Sequence, residues 1–177
     1  TTAGTMPRLY YKELANANSL PATNDNTTDG WKYVEANGTT SPFDFMIDYS
    51  KLYSTGTVTA DDTIQYFVVA QDLAGTPNVG INSGSFAATP SSVALTGAAF
   101  PIGGAINAYK ILGNISGTKT VGATGADYTT LTDAINALNN AELNGALTIL
   151  INADYANTGE TFPITINANS GSSATNT

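Results

Sequence analysis

The chain contains no cysteine and no histidine. Without cysteine there is no disulfide, no thiolate metal site and no thiol nucleophile. Without histidine, His-ligated zinc and Ser–His–Asp catalysis are excluded as well. Charge is scarce: 11% of the residues are charged, against about 25% in an average domain. The six basic residues are outnumbered by 14 acidic ones, for a net charge of −8. That balance argues against nucleic acid as a partner, because a phosphate-tracking surface needs clustered Lys and Arg. No apolar run approaches the roughly 18 residues of a membrane span, so none is expected. The chain opens Thr1-Thr2-Ala3-Gly4 with no initiator Met, signal peptide or sorting tail, which carries the expectation of processing or excision.

What is present is Asn, Thr, Ser and Gly around short apolar runs, with 17 Gly and 7 Pro among the 177 residues. Short hydrophobic runs between such turns are an all-β signature. The clearest strand spans 63–72, where Ile64, Tyr66, Val68 and Ala70 share one face and Gln65, Phe67, Val69 and Gln71 the other, partly wet one. Strands are also expected over 7–14, 31–35, 43–48 and 85–89. Asn24–Gly30 reads as a turn-rich loop and Asn37-Gly38 as a tight turn. Residues 91–117 lack a helical period and read as a connecting segment that includes a strand over 108–112.

Beyond 117 the pattern changes to short strand, helix, strand, turn, strand. Leu131, Ala134, Ile135 and Leu138 recur at i, i+3, i+4 and i+7, one apolar helical stripe. Thr130 with Asp133 fits a capping box, and Asn144-Gly145 is the expected end of that segment. Strands over 146–151 and 164–166 follow. No second copy of any part of the sequence is visible.

Two stretches carry a family resemblance. Pro7-Arg8-Leu9-Tyr10-Tyr11-Lys12 with Asp62-Thr63-Ile64-Gln65-Tyr66-Phe67-Val68-Val69-Ala70-Gln71-Asp72 resembles the immunoglobulin-like (fibronectin III-like) modules of large secreted bacterial cell-surface proteins. The resemblance implies that Tyr66 is the corner tyrosine and that Val68 takes the place held by the second Cys in antibody domains. Gly125–Leu131, Ala134–Asn139 and Gly145–Thr148 resemble the opening of the right-handed parallel β-helix in the same proteins.

The candidate sites are few. Asp25, Thr27 and Asp29 precede Gly30 as in an EF-hand, but position 36 is Ala where the bidentate Glu would stand. A hydrated turn is the reading, with looser calcium binding by Asp25 and Asp29 as its alternative. Asp61 and Asp62, adjacent in an extended segment, point to opposite faces and cannot readily flank one bond. Tyr10, Tyr11, Trp31 and Tyr33 are either a sugar-stacking platform or core and cross-strand pairs; the second reading is preferred. Asn26, Asn37 and Asn114 lie in N-x-Ser/Thr sequons, which so Asn- and Thr-rich a chain produces by chance.

The sequence therefore predicts a mainly β chain. It comprises an immunoglobulin-like β-sandwich over 1–90, a connecting segment over 91–117, and the N-terminal cap and first coil of a β-helix over 118–177. Catalytic, cofactor-binding and metal-ligating residues are expected to number none. The resemblance implies a structural or adhesive module, extracellular or on the cell surface, that could also be part of a filament. The rivals are a non-catalytic fragment of a carbohydrate-active β-helix enzyme and a carbohydrate-binding module. The expected partners are flanking domains of a longer polypeptide or neighbouring copies joined by β-strand pairing, with surface polysaccharide as a further candidate. The edge expected to accept such a strand is the 7–14 strand, because only six residues precede it and the sandwich would lack its leading strand.

Overall fold

The computed structural model describes residues 4–169 and 171–173. The outer residues of the expected 1–90 and 118–177 domains therefore lie outside the described residues. The protein is mainly β, with one α-helix among the described residues, and divides into two compact units at Ile111/Leu112.

The first unit is built on one antiparallel sheet. Its strands are β1 (Arg8–Glu13), β2 (Lys32–Glu35), β3 (Thr63–Gln71), β4 (Val79–Ile81) and β5 (Asn107–Lys110). β1 lies between β2 and β3, and β3 pairs with β5 through its first half and with β4 through its last residues. Strand pleating sends alternate residues to opposite faces, and here both faces are covered. Leu9, Tyr11 and Ile64 form one cluster with Leu52, joined by half-buried Phe45, Ile47 and Val58. Tyr10, Trp31, Phe67 and Val69 form the other, covered by Val93, Leu95, Ala99, Phe100 and Ile102. Burying this many large side chains is the main stabilising term, each contributing roughly 1.5–3 kcal/mol.

That double cover corrects several expectations. The face of β3 read as partly wet holds the fully buried Phe67 and Val69, while on the other face Ile64 is fully buried and Tyr66 and Val68 are half-buried. The reason is the segment 86–106, expected as a connector from residue 91 onward, which supplies a packing layer instead. The first compact unit accordingly runs on to Ile111, within the expected connector. The 7–14 strand is not an open edge: β1 is hydrogen-bonded to β2 on one side and β3 on the other. Residues 43–48 keep the predicted alternation, with Phe43, Phe45 and Ile47 partly buried, but make only the single bridge Asn37–Asp44. They lie over the sheet instead of extending it. Ser85 likewise forms one bridge, with Gly103, and the nearby strand is β4.

The second unit is a parallel strand pair, β6 (Gly113–Val121) and β7 (Ala141–Ile151), joined through α1 (Leu131–Asn139). α1 begins where predicted: Thr130 accepts a hydrogen bond from the Asp133 N–H at 3.0 Å, as an N-cap should. Its apolar stripe packs Ile135 and Leu138 onto Ile115 and Leu143, with Leu131 half-buried beside them. The helix ends at Asn139, capped by Asn140, whose N–H and side-chain amide both donate to Asn136 O. Asn144-Gly145, expected to close this segment, sits inside β7 instead. There β7 has two more residues than β6 between the pairs Ile115–Leu143 and Gly117–Leu147, so the turn-forming pair serves as a bulge. The expected strand over 164–166 is an extended segment without a ladder. It is held by Asn139 Nδ2 donating to Thr165 O (2.8 Å) and Asn167 N–H donating to Asn139 Oδ1 (2.9 Å).

A repeat invisible in the sequence emerges here. Gly113 faces Ala141 and Val121 faces Ile151, offsets of 28 and 30 residues. The same step recurs around the unit: Thr124 to Asp154 (30), Leu131 to Glu160 (29), Asn139 to Asn167 (28) and Ala141 to Asn169 (28). Residues 141–169 retrace the path of 113–140, with an extended segment where the first turn has its helix. The shared path has no shared residue pattern, which is why the sequence hides it.

Candidate functional site

The four aromatics expected as a platform or a core are mostly core. Tyr10, Tyr11 and Trp31 are 1%, 0% and 0% exposed. Tyr10 stacks on Phe67 at 5.2 Å between centroids, and Trp31 meets Phe67 edge-on at 4.7 Å. Their polar atoms tie loops to the sheet. The Tyr10 hydroxyl donates to Val93 O (2.8 Å) and accepts from Leu95 N–H (3.0 Å), the Tyr11 hydroxyl donates to Asp48 O (2.6 Å), and Trp31 Nε1 donates to Asn18 Oδ1 (2.8 Å). Burial raises the pKa of both tyrosines. Tyr33 is half-buried, and its ring carries the Arg8 guanidinium at 4.2 Å, itself bound to Glu35 at 2.9 Å. A depression of about 210 Å³ lies beside Arg8, Thr23, Asn24 and Tyr33. Asn24 there is engaged on both sides of its amide by the Tyr33 backbone.

The Asp25–Gly30 loop holds a cation of its own. Lys32, 0% exposed, donates its ammonium to Thr23 O and Thr28 O. Asp25 is occupied by its own turn, accepting from Thr27 N–H (3.0 Å), Thr27 Oγ1 (2.5 Å) and Thr23 Oγ1 (2.8 Å). Those bonds to the charged form hold its pKa at about 2. Asp29 accepts from Ala17 N–H at 3.0 Å. The two carboxylates thus serve separate backbone partners. Among the described residues no group of three or more acidic side chains is placed to hold a metal.

Lys12, on β1, repeats the device and escaped the sequence reading too. It is 2% exposed, donates to the carbonyls of Glu13, Leu14 and Asn16 at 2.9–3.1 Å, and lies 5.4 Å from the Trp31 ring centre. Burial lowers the pKa of both lysines, and the carbonyls replace the water each ammonium loses. The available signal was position: each lysine sits inside an aromatic strand, after Tyr11 or between Trp31 and Tyr33.

Asp61 stands in a turn with φ +78° and not in the expected extended segment, and the two carboxylates have separate partners. Asp61 pairs with Lys110 at 2.6 Å, while Asp62 accepts from Thr59 N–H at 2.6 Å. What the sequence did not indicate is Glu13, which borders the same opening of about 340 Å³. Burial, and then the Asp62 charge, raise its pKa. Asn26, Asn37 and Asn114 of the three sequons are all exposed.

In the second unit, Glu160 reaches the start of α1. Its carboxylate accepts from Leu131 N–H (2.7 Å), Thr132 N–H (2.8 Å), the Thr132 hydroxyl and the Tyr155 hydroxyl (2.6 Å). Desolvation would raise its pKa, but these bonds prevail and hold it at about 2. Beyond the helix lies an apolar groove of about 360 Å³ between Ile135, Leu138, Leu143, Leu147, Ile149 and Ile166. No charged side chain lines it, so it suits an apolar side chain better than an ion or a sugar. Comparison of the chain with family models, with curated proteins and with solved structures finds no match.

Proposed function

We propose that the chain is a structural or adhesive module of a secreted bacterial cell-surface protein. The observation that carries this reading is the use to which its chemically capable side chains are put. The carboxylates of Asp25, Asp62 and Glu160 hold turns and a helix end, and Tyr10, Tyr11 and Trp31 tie loops to a sheet. Even the ammonium groups of Lys12 and Lys32 are enclosed by loop carbonyls. Such a chain is scaffold throughout. The secreted, surface-exposed setting comes from the resemblance of its two stretches to bacterial surface modules.

In finer terms, we read the first unit as immunoglobulin-like and the second as the cap and opening coils of a parallel β-helix. Adjacency of the two resembling strands, β1 and β3, supports the former. Outside the sheet, the described residues of the first unit form only the isolated bridges Asn37–Asp44 and Ser85–Gly103, so that reading rests on strand order. The parallel β6–β7 pair and its 28–30-residue step support the latter. The sugar-stacking alternative loses support because three of its four aromatics are buried. A carbohydrate-active reading draws on the Glu13–Asp62 opening alone. The test is antibody against the folded chain applied to intact and to lysed cells of the bacterium that makes it. Labelling of intact cells is expected; labelling confined to lysed cells would overturn the surface assignment. Turnover of a polysaccharide panel that is lost in Glu13→Gln would replace the structural reading with an enzymatic one.

A further inference from the structure

The second unit ends on a surface of the same kind as the one on which its own second turn is built. β6 and β7 form a two-stranded sheet, so the far edge of β7 carries no further strand among the described residues. Only the beginning of that edge is engaged. Asn169 donates to Ala141 O (2.6 Å) and accepts from Leu143 N–H (3.1 Å), and Gly171 N–H donates to the same side-chain oxygen (3.0 Å). Gly171 lies so close to Leu143 that a Cβ there would stand 2.0 Å from the Leu143 carbonyl oxygen. The offset from Leu143 to Gly171 is again 28. Past this point the edge runs along Gly145–Ile151, beside the apolar groove, with Leu150 and Ile166 51% and 66% exposed.

We propose that this edge and groove are the seat of one more coil of the same polypeptide: a strand parallel to β7, laid against Gly145–Ile151. Three observations converge on that occupant. The row of main-chain groups calls for a strand and not a small molecule. An uncharged apolar groove calls for alternate apolar side chains directed into it. The contacts of Asn169 and Gly171 with Ala141 and Leu143 repeat the step that brought β7 to β6, which favours the same polypeptide over a second copy. A second copy would have to approach past Gly171–Ser173, and two chains of net charge −8 repel one another. The inference stands on geometry and does not rest on the cellular location proposed above.

The test uses the absence of cysteine, which makes any introduced thiol unique. Leu147→Cys places one in the groove, and Ala134→Cys, at a position 1% exposed, reports whether the unit stays folded. Each is made in the full chain and in the full chain carrying a second copy of residues 145–173 inserted after Ser173. In the chain as it stands the Leu147→Cys thiol should react readily with a maleimide at every protein concentration. The inserted coil should slow that reaction at least tenfold, while Ala134→Cys stays unreactive in both. Equal reactivity of Leu147→Cys with and without the insert would overturn the proposal. So would exposure of Ala134→Cys by the insert, because a coil that fits its seat does not open the unit. Protection of Leu147→Cys in the unextended chain, rising with concentration and with a dimer in sedimentation, would assign the seat to a second copy and overturn it equally.

Discussion

At the residue scale, single polar atoms hold long loops in place. Tyr10 reaches across the core to Val93 and Leu95, more than 80 residues away in sequence. Tyr10→Phe keeps the ring packing against Phe67 and leaves a buried carbonyl and a buried N–H without their partner. A loss of about 1–3 kcal/mol is expected, read from urea unfolding. Gly30 is constrained more tightly still: its φ is +125°, and a Cβ would stand 2.3 Å from Ser19 O. The carboxylates give a pH signature. Asp25 and Glu160 ionise at about 2 in the folded chain, against 3.8 and 4.5 ordinarily. A lowered pKa contributes stability that is complete above the ordinary value and is lost as pH falls through the folded value. Urea midpoints should therefore decline between about pH 5 and pH 2, and Glu160→Gln should make that decline shallower. An unchanged slope in that variant would show that Glu160 does not contribute to it.

At the scale of elements, α1 is the best test of local signals. Thr130→Ala should cost about 1 kcal/mol through loss of the N-cap. Ile135→Ala, at a side chain 5% exposed, should cost roughly 2–5 kcal/mol. Both are measured by thermal unfolding followed at the helix signal. The helix was legible because a 3.6-residue period and a cap are written within a dozen residues. β3 was legible for the same reason, through its alternation, and β1 and β2 fall within the strands expected over 7–14 and 31–35. Residues 91–106 were not, because their apolar side chains answer to the sheet they cover and follow no period of their own. β4, three residues with a central glycine, is too short to stand out. Residues 43–48 show the limit in reverse, with true alternation and no ladder, because alternation records which side is buried and not who the neighbour is. The role of Asn144-Gly145 was misread for a related reason, since a pair that favours turns also suits a bulge. At the candidate sites, the burial of the aromatics was legible from their alternation, whereas the enclosure of Lys12 and Lys32 depends on how neighbouring carbonyls fold back over each ammonium, which no strand pattern records.

At the scale of the molecule, each unit has a core of its own: the two clusters around the antiparallel sheet fall within residues 9–111, and the cluster under α1 within 115–164. Phe67→Ala should cost roughly 3–5 kcal/mol and lower the unfolding midpoint of the first unit, leaving hydrogen exchange of β6 and β7 amides unaltered. A matching acceleration in β6 and β7 would show instead that the units unfold as one. The enclosure of the lysines has a consequence for resistance to proteolysis. Trypsin-like proteases need a basic side chain in their specificity pocket and an extended backbone freed from its neighbours. The chain offers six such residues, Arg8, Lys12, Lys32, Lys51, Lys110 and Lys119. Two of the six are buried ammonium groups, and Arg8 and Lys12 lie on a strand paired along both sides. Trypsin should therefore nick the folded chain first after Lys51, in its short turn, and spare the bonds after Arg8, Lys12 and Lys32 until the first unit opens. The rate of cutting after Lys12 then becomes a clock for that opening, and a chain built this way outlasts its digestion by keeping its cleavage points inside.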